Sequence, residues 1–371
     1  MIRALARLRG EWALPVGIAT TLAFAVFGKD WFADLSSMPW FAFVLAWLFC
    51  AIMVCAFAVV RHAETLAERL GEPYGTLVLT VSMSGMEMMM IAAVMFTGHG
   101  SASLARDTML AIVMIVLNGL VGACLLVGGL RYREQTYNLY SANSFLAVIL
   151  PLSVLGLVLP GFTVSTPGPT LSTLQSIFLI FMSLVLYGVF LAIQTQRHRD
   201  YFVAPEEPRP PDGPATTTGA DGSAACHVGM LIAYAIPIVL LAKQIALPID
   251  YGISVLRAPT AFGGLLVAVL ILAPESMAAV RSALANQLQR SINVALGTAL
   301  SSISLTIPAV LAIGFITHQS IVLGLDAVDT VLLLLTLVVS MLTFALARTN
   351  VLLGAVHLVL FLAYLMLIVE K

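Results

Sequence analysis

Eleven stretches of roughly twenty residues run along this chain with almost no charge in them, a pattern that leaves few folds open. They cover residues 12–28, 39–60, 76–97, 108–130, 143–161, 174–195, 227–247, 260–280, 291–315, 327–347 and 351–369. A helix on the surface of a soluble protein needs a charged face, and these segments have none. In lipid, every backbone N–H and C=O must be satisfied within the segment, which a helix achieves and an open strand does not. Barrel strands would alternate polar and apolar residues, and these runs do not. Composition agrees, since 60% of the 371 residues are hydrophobic and 10% charged, against about 25% in soluble domains. The expected fold is an all-α polytopic membrane protein with eleven transmembrane helices.

The basic residues test that map. With the N-terminus in the cytoplasm, thirteen of the 18 lysines and arginines fall inside, and only Lys29, Arg106, Lys243, Arg257 and Lys371 fall outside. A missed helix would invert every later loop. The N-terminus is therefore expected inside and the C-terminus outside. Arg3, Arg7 and Arg9 before the first apolar run resemble a signal peptide, but no small-residue cleavage site follows, so a retained first helix is expected. Three of the four cysteines (Cys50, Cys55, Cys124) lie in apolar spans, Cys226 lies just before one, and no metal or disulfide spacing appears. Membrane lipids are the expected surroundings. Without a basic cluster, nucleic acid is not an expected partner.

The segment 196–226 is rich in proline, glycine and threonine and reads as a flexible cytoplasmic linker. It divides the chain into an N-terminal segment with the first helix (1–35), five helices (36–195) and five more (227–371). An odd number of spans per unit forces the two units to run oppositely through the membrane. The expectation is two inverted five-helix repeats.

Of the nineteen acidic residues, only Glu87 and Glu275 lie deep within spans. Each sits near the middle of the second helix of its unit. A carboxylate at bilayer centre costs about 2.5–3.5 kcal/mol even on insertion scales. One reading makes them interhelical glue, protonated and hydrogen-bonded. The other makes them a cation and proton site at the repeat interface. Their symmetric placement, with no lysine or arginine at the same depth, favours the second. Burial and a nearby like charge both disfavour the ionised form of a carboxyl. Such groups hold protons near neutral pH and release them when a cation arrives.

The neighbourhood offers supporting groups. Gly85 and Pro274 flank the two acids and could unwind or kink their helices, and Ser84 lies one turn before Glu87. In the helix after Glu275, Asn293, Gly297 and Ser301 share a face, with Thr298, Ser302 and Thr306 nearby. Either close packing or pathway lining accounts for them. Asn118 is the one strong polar group in the equivalent first-half helix, and His357 is either a proton relay or a satisfied buried histidine. The methionines around Glu87 read as packing, because thioether sulfur suits soft metals rather than hard cations.

These residues resemble a known family. "ETLAERLGEPYGTLVLTVSMSGMEMMMIAAVM" (64–95), "AFGGLLVAVLILAPESMAAVRSALANQLQRSINVALGTALSSISLTIP" (261–308) and "RTNVLLGAVHLVLFLAYLMLI" (348–368) are similar to the calcium:cation antiporter superfamily, in its cation/proton exchanger branch. The resemblance, strongest to the bacterial calcium/sodium/potassium–proton antiporters, implies a bacterial cytoplasmic (inner) membrane location and an eleven-helix, five-plus-five fold with Glu87 and Glu275 as the signature glutamates, holding the transported metal cation. The chain departs from the pattern at Met83-Ser84 and Ile271-Leu272, where many exchangers have Gly-Asn. Ser301 stands where the family has glutamine, and Ala111, Ile112 and Val116 where it has polar or small residues. Calcium favours 6–8 oxygen ligands, so the losses point to broader alkali-cation use.

The expected activity is secondary antiport: cytoplasmic Na+, K+ or Ca2+ leaves as external protons come in, by alternating access at the two glutamates. No cofactor beyond the transported ions is expected. No Walker A, H-E-x-x-H or G-x-S-x-G pattern occurs, so an enzyme is not expected. A passive cation channel and, more remotely, an intramembrane hydrolase are the alternatives.

Overall fold

The structure, a computed structural model, describes residues 11–70, 74–95, 103–202, 223–346 and 348–370. Arg3, Arg7, Arg9, most of the linker with Glu206, Glu207, Asp212, Asp221 and Arg209, and Lys371 lie outside the described residues. Eleven helices among them are long and apolar enough to cross a membrane. They are α1 (Ala13–Ala33), α2 (Met38–Leu70), α3 (Tyr74–Met95), α4 (Leu104–Tyr132), α5 (Leu139–Gly161), α6 (Thr173–Arg197), α7 (Ala224–Ser254), α8 (Thr260–Leu284), α9 (Leu288–Thr317), α10 (Ala327–Phe344) and α11 (Val351–Glu370).

Several helices outrun their apolar stretches. α2 continues ten residues past the expected end, carrying Arg61, Glu64, Glu68 and Arg69 on an amphipathic extension. Apolar runs mark where lipid ends, whereas helical hydrogen bonds continue into the aqueous margin. The linker is also shorter than expected. Its first residues stay helical to Arg197, followed by a 3₁₀ turn at Arg199–Tyr201, and α7 already begins at Ala224. Helix starts are fixed locally: Ser172 and Gln175 form a reciprocal capping box, and Ser223 and Asp326 cap α7 and α10. A two-residue antiparallel bridge, Gln135–Thr136 with Arg348–Thr349, ties the α4–α5 and α10–α11 turns together.

The two five-helix sets pack as counterparts. α2 lies along α7 at the centre, α3 packs on α9, and α8 packs on α4. The contacts of α9 with α6 and α5 are matched by those of α4 with α11 and α10. α1 stands outside this pattern and clasps α2 and α7. Gly17 lets it approach, since a Cβ there would lie 2.6 Å from Cys55 Sγ. At its start, Glu11 accepts hydrogen bonds from Arg61 (2.7 Å) and Tyr234 (2.7 Å) and pairs with His62 Nε2 at 3.1 Å. All four cysteines are free.

Candidate functional site

α3 and α8 bring Glu87 and Glu275 to one cavity of about 650 Å³. Glu87 is 2% exposed, and Glu275 is half-buried on the cavity wall. Val60, Glu64 and Glu68 line it on successive turns of α2, and Arg290, Asn293, Gly297, Thr298 and Ser301 line it along α9. Phe202, at the start of the linker, folds back to close its rim against Phe145 and Phe190. The cavity therefore runs from the two buried acids to the end of the bundle that carries Arg290.

Away from that mouth the helices are tightly packed. Val94, Leu104 and Ala246 join α3, α4 and α7 in a small apolar cluster. A Cβ on Gly264 would lie 2.6 Å from the Asp107 carbonyl carbon and 2.7 Å from the Thr108 nitrogen, so α8 meets α4 backbone to backbone. Arg106 ties the same region to the loop before α10 by donating to the Gly324 carbonyl at 3.1 Å, while it pairs with Asp107 at 2.7 Å.

Among the described residues, one helix supplies the hydrogen-bond donors to both glutamates. Thr298 donates to Glu275 at 2.5 Å, and Ser302 (2.6 Å) and Thr306 (3.1 Å) donate to Glu87. These three hydroxyls are four residues apart and form a single stripe along α9. Glu87 lies within the field of Glu275, and Glu275 within that of Glu64. Carboxylates, hydroxyls and an aqueous mouth form a set of hard oxygen donors suited to alkali or alkaline-earth ions.

The other expected site residues divide. Ser84, Asn293, Gly297, Thr298 and Ser301 all line the cavity. Asn293 is fixed by donating to the Phe202 carbonyl at 2.7 Å and accepting from Ser141 and Gln289, each at 2.8 Å. Gly85 and Pro274 unwind nothing, because α3 and α8 run unbroken through them. Pro274 does remove a helical N–H, which leaves the Leu270 carbonyl without its usual donor. Asn118 does not line the cavity. It sits in a π-helical stretch of α4 (Met114–Leu120), bonds Thr336 at 2.8 Å and pairs with His357 Nδ1 at 3.1 Å, while His357 Nε2 meets Thr343 at 3.0 Å. That buried network joins α4, α10 and α11, and it accounts for His357 as a satisfied group.

Sequence reasoning missed the mouth. Glu64, Glu68, Gln194 and Arg290 line it, although the acids and Arg290 looked like ordinary loop charges. The signal was the i, i+4 spacing of Val60, Glu64 and Glu68, which puts them on one helical face.

Known proteins resemble this chain in sequence and fold. The family model described as sodium/calcium exchanger protein matches residues 40–196 and 227–369, one segment on each side of the linker. The chain is 42% identical over 312 residues to putative ionic transporter y4hA of Sinorhizobium fredii, covering 84% of each. It is 41% identical over 318 residues to sodium-potassium/proton antiporter ChaA of Escherichia coli, covering 85% of this chain and 86% of that one. Native YfkE shares its fold, with a TM-score of 0.72 over 96% of this chain and 100% of that one at 17% identity. The hydrolase alternative drops out, because these relatives are transporters and not enzymes. This multi-pass membrane chain belongs to the sodium/calcium exchanger protein family of antiporters.

Proposed function

We propose that this protein exports cytoplasmic Na+ and K+, with Ca2+ as a third cargo, in exchange for external protons. The observation that carries this reading is the placement of Glu87 and Glu275 in one cavity that reaches the bundle surface at one end and, among the described residues, is packed at the other. The sodium and potassium named for the E. coli relative support the choice of cargo. Each carboxylate alternates between a proton and a cation, and competition for the same oxygens couples the two fluxes. Ser84, Thr298 and Ser301 add oxygens beside them. Access alternates as the units 36–195 and 227–371 move against each other, with the N-terminus in the cytoplasm and the C-terminus outside. The cavity mouth, with Arg290 and the linker, then faces the cytoplasm. A passive channel would need an opening through the packed end, where α8 and α4 touch backbone to backbone.

Inverted vesicles holding a preset proton gradient and a pH-sensitive dye test this. Adding Na+ or K+ should collapse the gradient; an intact gradient with Na+, K+ and Ca2+ alike would overturn the reading.

A further inference from the structure

Arg290 is a cation standing in a cation pathway. It lies in the first turn of α9, is exposed, and lines the cavity that leads down to Glu87 and Glu275. Its neighbours are tied. Gln289 accepts from the Asn138 backbone N–H at 2.6 Å and donates to Asn293 at 2.8 Å, and Asn293 in turn holds Phe202. Arg290 makes no hydrogen bond or ion pair to a described residue; its guanidinium acts on Glu64 across the mouth through its field alone, together with Arg281 from α8. Arg106, at the packed end, is the contrast: it is bound to Asp107 and the Gly324 carbonyl. A charge that bonds nothing still sets the potential around it. The mouth carries Glu64 and Glu68 against Arg290 on its wall, with Arg281 also acting on Glu64, so Arg290 offsets part of the attraction that the two carboxylates exert on an arriving ion.

We propose that Arg290 is a valence-selecting residue, whose guanidinium at the cavity mouth disfavours divalent cations more than monovalent ones. The inference rests on the antiport reading of the same cavity. Its physical content is simple. A fixed charge changes the local concentration of an ion by a factor that depends exponentially on the ion's own charge. Whatever factor Arg290 imposes on Na+ or K+, it imposes that factor squared on Ca2+. The mouth is aqueous, so the effect must also fade as salt shortens the screening length.

The test compares wild type with Arg290→Gln, Arg290→Glu and Arg290→Lys, measuring cation-driven proton movement in inverted vesicles at low and high ionic strength. At low salt, Arg290→Gln should lower the apparent KM about 2-fold for Na+ and K+ and about 4-fold for Ca2+, from a unit charge some 10 Å away in water. Arg290→Glu should square each of those changes, Arg290→Lys should match wild type, and added inert salt should erase the differences. An equal change for all three cations, no change, or failure of Arg290→Lys to preserve wild-type values would overturn the proposal. Wild-type protein that moves no protons with any cation would instead overturn the antiport reading itself.

Discussion

Ser302 donates a 2.6 Å hydrogen bond to Glu87 from a helix 215 residues further along the chain. The acid of the first unit is thus held by a hydroxyl of the second. Removing that hydroxyl takes a donor from the ionised carboxylate and leaves Thr306 alone at 3.1 Å. A hydrogen bond to a charged group contributes about 1.5–3 kcal/mol. In Ser302→Ala, cations should compete less well with protons, with apparent affinity falling roughly 10- to 100-fold and the loss deepening as pH drops. Ser302→Thr should keep most of the activity. An unchanged cation KM across pH in Ser302→Ala would show that the contact does not serve the ionised form.

The carboxylates themselves admit a sharper experiment. Glu87→Gln and Glu275→Gln keep the shape and one accepting oxygen but carry no titratable proton. Each should abolish exchange, while membrane insertion and the gel-filtration profile in detergent stay as in wild type. Substantial flux in either variant would refute a shared site.

Two glycines separate packing from function. At Gly264 an added methyl would meet the Asp107 and Thr108 backbone, which has no rotamer to give way. Gly264→Ala should cost about 1–3 kcal/mol, seen as a lowered thermal midpoint in detergent. At Gly85 a Cβ would find nothing within 4 Å, and alanine is the better helix former by about 1 kcal/mol. Gly85→Ala should therefore be neutral or mildly stabilising, the opposite of what a hinge at that position requires.

The clasp of α1 predicts a pH dependence. Burial alone would raise the Glu11 pKa, but hydrogen bonds from Tyr234 and His62 and the charges of His62 and Arg61 outweigh it, and the carboxyl lies below its ordinary 4.5. A depressed folded-state value stabilises the fold at pH above the unfolded value, and that contribution disappears as pH falls through the folded one. Wild type should thus lose more thermal stability than Glu11→Gln between pH 5 and 3. Parallel midpoints for the two proteins over that range would remove Glu11 from the account.

Much of this architecture is legible in the sequence alone. Eleven spans and two buried acids stand out in the sequence because lipid tolerates so little charge. What periodicity does not reveal is which face of a helix meets which neighbour. Asn293, Gly297 and Ser301 do line the cavity, yet the acids are bonded by Thr298, Ser302 and Thr306, a stripe about 100° further round α9. Asn118 looked like the first-half equivalent of those groups. Its partners Thr336 and His357 lie more than 200 residues away, and no local pattern links them. Glu64 escaped notice because an amphipathic helix end and a charged loop have the same composition.

Glu87 and Glu275 are matched by position, but the hydroxyls that hold them are not. Within Leu104–Tyr132, the counterpart of α9, Thr108 is the single serine or threonine, and it lies at the packed end. Two copies of the first unit, fused or paired, would present both acids with no hydroxyl stripe between them. The two halves are thus interchangeable in charge placement but not in the chemistry around the charges. Each half contributes a charge, but the hydroxyls that bond both charges come from one half alone.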